Sequence, residues 1–180
     1  MRPKILIAFA DTGGEAGAIR AAAEWFGASV FWFPVGRPAD FLAVLEGNTG
    51  YPAADVTVLS FHGEEGAFLM PELGEDVYFR GEPRGPVGAD LVRAHLGLTG
   101  TVVLSTACGT GSEDTAAAFR EKGNYYAAPA KEVEGSAALM FAVRFLYELL
   151  AKGASPEEAG NLAASADAET ALFSAGGPVC

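Results

Sequence analysis

Short apolar runs of strand character alternate with helix-forming stretches along most of this chain. Residues 4–10 (KILIAFA), 29–34 (SVFWFP), 55–61 (DVTVLSF), 101–107 (TVVLSTA) and 124–128 (NYYAA) are the strand candidates. Several are apolar almost without interruption, as expected of strands buried on both faces of a parallel sheet. Between and after them, residues 15–26, 38–46, 89–96, 112–122, 134–151 and 155–174 carry helical composition. Strands that alternate with helices imply parallel pairing, right-handed crossovers and a three-layer α/β/α sandwich with a mostly parallel sheet of five to six strands.

Two helix starts are marked by chemistry. Ser155-Pro156-Glu157-Glu158 offers a capping hydroxyl, proline at the first helical position and a carboxylate at the third. Ser112-Glu113-Asp114 places a cap and two acids at the positive end of another helix.

The 180 residues suit one domain, residues 1–180, and half of them are hydrophobic, which is ample for a core. The formal net charge of −11 disfavours nucleic acid and anionic lipid as partners. No apolar run reaches membrane-spanning length, and the first run passes directly into Asp11 and a glycine turn, so it reads as a strand and not a leader. Two cysteines, Cys108 and Cys180, make no disulfide framework and have no metal-ligand spacing. A cytoplasmic setting with no cofactor and no metal is the expectation.

The alternation fails once. Between Gly63 and Val87 the expected crossover helix is replaced by glycines and prolines around two apolar pieces, 67–70 and 77–79. This predicts a small excursion after the third strand, at the sheet edge where α/β proteins build binding sites.

The scarce reactive residues converge on that edge. The third strand delivers His62 and the fourth Cys108, each followed by glycine. A thiolate is a working nucleophile, and a nearby imidazole favours its formation. The amides of Gly63 and Cys108 are candidate receivers of the oxyanion of a tetrahedral intermediate. His95 falls within a helix and Cys180 in the tail after Gly176-Gly177-Pro178, and neither position suggests chemistry. The turn Asp11-Thr12-Gly13-Gly14-Glu15 admits a different reading, a flavodoxin-like phosphate or flavin site at a helix N-terminus, although it lacks a phosphate fingerprint and any internal Lys or Arg.

The strand ending in His62-Gly63 and the later Thr106-Ala107-Cys108-Gly109-Thr110-Gly111 resemble the caspase-like cysteine peptidases. The caspase signature is Gln-Ala-Cys-[Arg/Gln/Gly]-Gly with a histidine about 50 residues upstream; here His62 precedes Cys108 by 46 residues. The closer likeness, over about residues 55–170, is to bacterial CHAT domains. It continues through Ala116-Ala117-Ala118-Phe119 to Gly123, then Phe145-Leu146-Tyr147 and Gly153-Ala154-Ser155. The resemblance implies a caspase-like fold and peptide-bond hydrolysis by a dyad. In it Cys108 is the nucleophile, His62 the proton-transfer partner, and Gly63 and Cys108 the oxyanion hole. Thr106, two before the nucleophile, would line the pocket for the substrate's first side chain. Glu64 and Glu65, with Glu72, Glu75 and Asp76, either favour a basic residue there or form a solvated rim. The implied partner is a peptide or protein, as substrate or, for a non-catalytic interaction module on the same fold, as ligand.

Overall fold

The computed structural model describes residues 2–12 and 14–178; Cys180 lies outside them. A six-stranded sheet forms the middle layer, in the order β2-β1-β3-β6-β7-β8. Its strands are β1 (Lys4–Phe9), β2 (Ser29–Pro34), β3 (Val56–Ser60), β6 (Val102–Ser105), β7 (Tyr125–Pro129) and β8 (Phe173–Gly176). The first five are mutually parallel, and β8 runs antiparallel to β7 at one edge. The parallel strands are in close register, Ile7 facing Val58, Val58 facing Leu104 and Leu104 facing Ala127.

Because side chains alternate along a strand, this register sorts the apolar residues into two cores. Ile5, Ile7, Val58, Leu104 and Ala127 face one side. There they meet α1 (Glu15–Trp25), α5 (Gly135–Leu146) and α6 (Pro156–Ala164) through Ile19, Phe141, Phe145 and Ala159. Leu6, Ala8, Leu59, Val103 and Ala128 face the other. That side is covered by α2 (Pro38–Glu46), α3 (Ala89–His95) and α4 (Glu113–Arg120), with Phe41, Val92 and Phe119 fully buried. The outcome is the expected α/β/α sandwich.

The excursion begins at once after β3. Strands β4 (Gly63–Glu64) and β5 (Ala67–Phe68) pair antiparallel across Glu65 and Gly66, whose φ values of +49° and +83° suit a two-residue type I′ turn. Phe68 bridges to Val87, and Thr115 Oγ1 on α4 donates to Gly66 O at 2.6 Å. The second apolar piece, 77–79, is not a strand. Its first residue closes a 3-10 turn at Glu75–Val77, and Val77 and Phe79 are exposed. What holds this stretch is a part-buried ion pair: Arg37, at the N-terminus of α2, donates to both carboxylate oxygens of Glu82 (2.7 and 3.0 Å) and to Val77 O. Glu82 also accepts from the Phe79 and Ala39 amides, and the Arg37 guanidinium packs over the Phe79 ring.

Two helical expectations are corrected. The stretch 134–151 is α-helical only to Leu146, after which Tyr147–Ala151 widen into a π turn. The stretch 155–174 begins as predicted, with Ser155 and Glu158 forming a reciprocal cap, but α6 stops at Ala164. Asp167 and Thr170 then cap one another, Asp167 Oδ1 accepting from Thr170 N at 2.7 Å, and the chain turns into β8. Side chain–backbone bonds of this kind compete with helix continuation, and β8 exists because the β7 edge offers it a partner. Among the described residues no helix is long and apolar enough to cross a membrane.

Candidate active site

The carboxyl ends of β1, β3 and β6 surround a cleft of about 990 Å³ that is lined by both His62 and Cys108. His62 follows the end of β3 by two residues and Cys108 the end of β6 by three, and the two strands are adjacent, since β3 pairs directly with β6. Gly63 makes this approach feasible: a Cβ there would collide with the Cys108 carbonyl oxygen, so no larger residue fits between the two strand ends.

His62 is exposed to the cleft, and its Nε2 lies 2.9 Å from the backbone oxygen of Asp11, at the end of β1. A carbonyl only accepts, so Nε2 carries the proton and Nδ1 of the neutral ring is left as the base. Asp11 holds φ at +50°, in the left-handed region that aspartate tolerates better than most residues, and this turn accompanies the carbonyl aimed at His62.

The cysteine turn is held from beneath by buried hydroxyls. Thr110 Oγ1 bonds Ser105 Oγ (3.0 Å) and Ala107 O (2.7 Å), Ser105 Oγ accepts from the Ala107 amide, and Tyr126 OH donates to Thr110 O. Burial pushes the Tyr126 phenol well above its ordinary range, so it remains a neutral donor. The Cys108 side chain is half-buried; its thiol donates a long bond (3.6 Å) to Val133 O. The Gly109 amide donates to Lys131 O, which ties the turn to the loop after β7. Among the described residues the Cys108 amide itself has no hydrogen-bond partner.

The remaining candidates separate. Thr106 is buried and lines the cleft, and its hydroxyl donates to Glu15 Oε1 at 2.6 Å. The same oxygen accepts from Ser60 Oγ at 2.7 Å, and Ser60 Oγ reaches Thr12 Oγ1 at 3.0 Å. Glu15 therefore places a carboxylate at the floor of the cleft, joined to the ends of β3 and β6. Glu64 and Glu65 line the same cleft but are exposed, at its rim. The acids Glu75 and Asp76 do not line it, and Glu72 borders a neighbouring concavity. His95 is remote, its Nδ1 2.7 Å from Glu46, whose carboxyl is lowered from its usual range by that bond.

Glu15 and Asp11 are the site residues that spacing alone missed. Of the 11–15 turn, Thr12 and Glu15 line the cleft, and the Glu15 side chain is anionic and already bonded, which opposes an anion such as phosphate there. Gly13 lies outside the described residues. Among the described residues, no group of three or more His, Cys, Asp or Glu side chains is arranged to hold a metal ion.

No protein-family model and no curated protein matches the sequence. Solved structures do match. One is an inactive zymogen C11 protease from Parabacteroides distasonis, with TM-score 0.58 at 15% identity over 91% of this chain and 57% of that one. Another is iotapain, a secreted C11 cysteine protease from Bacteroides thetaiotaomicron, with TM-score 0.50 at 10% identity over 89% of this chain and 68% of that one. The chain thus spans under two thirds of the first of these proteases. These matches do not show a closer likeness to CHAT domains.

Proposed function

The chain has the caspase-like fold of the C11 cysteine proteases, and on that footing we propose that it hydrolyses peptide bonds with Cys108 as nucleophile and His62 as proton-transfer partner. The observation that carries this reading is the shared cleft: an exposed imidazole, fixed through Nε2 by Asp11 O, stands with a half-buried thiol at neighbouring strand ends. In the reaction His62 Nδ1 takes the thiol proton and the sulfur bonds the scissile carbonyl carbon. The carbonyl oxygen gains the negative charge facing the amides of Gly63 and Cys108. Collapse of this adduct breaks the C–N bond as His62 returns the proton to the leaving nitrogen. Water, deprotonated by His62, then hydrolyses the thioester and restores the thiol.

The substrate side follows from charge. Glu15, Glu64, Glu65 and Glu132 line the cleft against Lys131 alone, so the residue donating the scissile carbonyl is basic, with Glu15 beneath it. Alkylation with iodoacetamide, read at the Cys108 peptide by mass spectrometry, tests the dyad. Wild-type Cys108 reacts faster than a free thiol near neutral pH, and His62→Ala removes the advantage. Equal rates in both proteins, with no cleavage of basic peptides, would overturn the proposal.

A non-catalytic module on the same fold is the second reading. The thiol's bond to Val133 O favours it, because that bond occupies the nucleophile. Peptide binding without turnover, equal in wild type and Cys108→Ala, would select this reading.

A further inference from the structure

Beside the cleft lies a second concavity of about 570 Å³, and the two share only His62 and Leu69 in their walls. Its apolar surface comes from Ala10, Val35, Leu69, Met70 and Pro71, and its polar edge from Asp11 and Glu72. The walls are built onto the sheet. Ala10 N donates to Ser60 O, Val35 N to Phe9 O, and Leu69 N to His62 O, all within 3.2 Å. The Arg37–Glu82 pair clamps the rest of the excursion to the start of α2, two residues beyond Val35.

Cys–His chemistry assigns the two concavities different halves of a substrate. The acyl half becomes bonded to Cys108, so it occupies the space that Cys108, Thr106 and Glu15 line. The leaving half takes its proton from His62 and departs on the side that has His62 but not Cys108. Of these two concavities, the second meets that description. Its acidic edge also complements the ammonium group that the leaving half acquires on release.

We propose that this second concavity receives the leaving half of the substrate and selects an apolar side chain on the residue that follows the scissile bond. This rests on the hydrolytic reading above, and the experiment separates the two. Peptides with a common acyl half ending in arginine carry Leu, Met, Ala or Asp after the scissile bond. The wild-type protein cleaves the Leu and Met peptides with kcat/KM roughly tenfold or more above the Asp peptide, the discrimination expected of an apolar pocket. Met70→Asp reduces or reverses that ratio. Cleavage with a flat or Asp-favouring wild-type profile overturns the subsite and leaves hydrolysis standing. If no peptide is cleaved, the methyl resonance of Met70 in the full Cys108→Ala chain decides. A shift with the Leu peptide and none with the Asp peptide supports the subsite while the hydrolytic reading falls. No shift with either overturns the subsite as well.

Discussion

Glu15 and Thr106 stand 91 positions apart in the chain, and a 2.6 Å hydrogen bond from the threonine hydroxyl joins them at the floor of the cleft. The bond leaves Oε2 of the carboxylate free of the two hydroxyls that hold Oε1. A negative charge is thereby fixed near Cys108 by groups from β3 and β6, with little side-chain freedom left to lose when a cation arrives.

Glu15→Gln keeps an acceptor for both hydroxyls and removes the charge. It is expected to lower kcat/KM for an arginine substrate about tenfold or more, in line with the 1.5–3 kcal/mol of a charged hydrogen bond. The citrulline analogue, neutral and nearly isosteric, is expected to change little. Paired assays on the two substrates check this; an equal loss on both would mean that Glu15 acts only through the structure.

The Asp11 carbonyl is the part that orients His62, so that orientation needs the backbone conformation at position 11 and not its side chain. Asp11→Gly adopts φ near +50° readily and is expected to retain activity. Asp11→Pro cannot adopt it, and the displaced carbonyl lowers kcat more than it changes KM. The pH dependence of Cys108 alkylation shifts in the proline variant alone.

Gly63→Ala is expected to cost about 1–3 kcal/mol, because the added methyl meets the Cys108 carbonyl and the Ala107 side chain with no room to relax into. Urea unfolding gives the loss. The slower alkylation of Cys108 that accompanies it distinguishes this position from an ordinary packing defect.

Glu82 sets an acid limb of stability. Its carboxyl is lowered from 4.5 to about 2, first by its hydrogen bond from Arg37 and then by the Phe79 and Ala39 amides, against the opposing effect of burial. A carboxyl depressed in the folded state stabilises above its unfolded value, so this contribution is complete above about 4.5 and is lost as pH falls towards 2. Glu82→Gln is expected to lower the thermal midpoint at pH 7 and to narrow its difference from wild type as pH falls through that window. Thermal melts between pH 2 and 7 measure it.

Much of the fold was legible because burial leaves a local mark. A strand covered on both faces is apolar over five or six residues, a helix beside it is rich in Ala and Glu, and Ser155 with Glu158 announces a cap. His62 and Cys108 were legible for a related reason, since each follows a buried run and precedes a glycine. β8 was not. Phe173-Ser174-Ala175-Gly176 closes an Ala-rich stretch with nothing in its own composition to mark a strand, and its state depends on the free edge of β7. The fate of residues 77–79 likewise depended on Glu82 reaching Arg37, 45 residues away.

The linear order of residues was enough to establish alternating layers, a parallel sheet and two reactive side chains at strand ends, since each depends on patterns within a few residues. Which strand ends adjoin, that the Asp11 carbonyl meets the His62 ring, and that Glu15 bonds Thr106, two residues before Cys108, depended on the packed sheet. Crossovers place residues distant in sequence side by side, and local periodicity records how deeply a residue is buried but not which partner it is buried against.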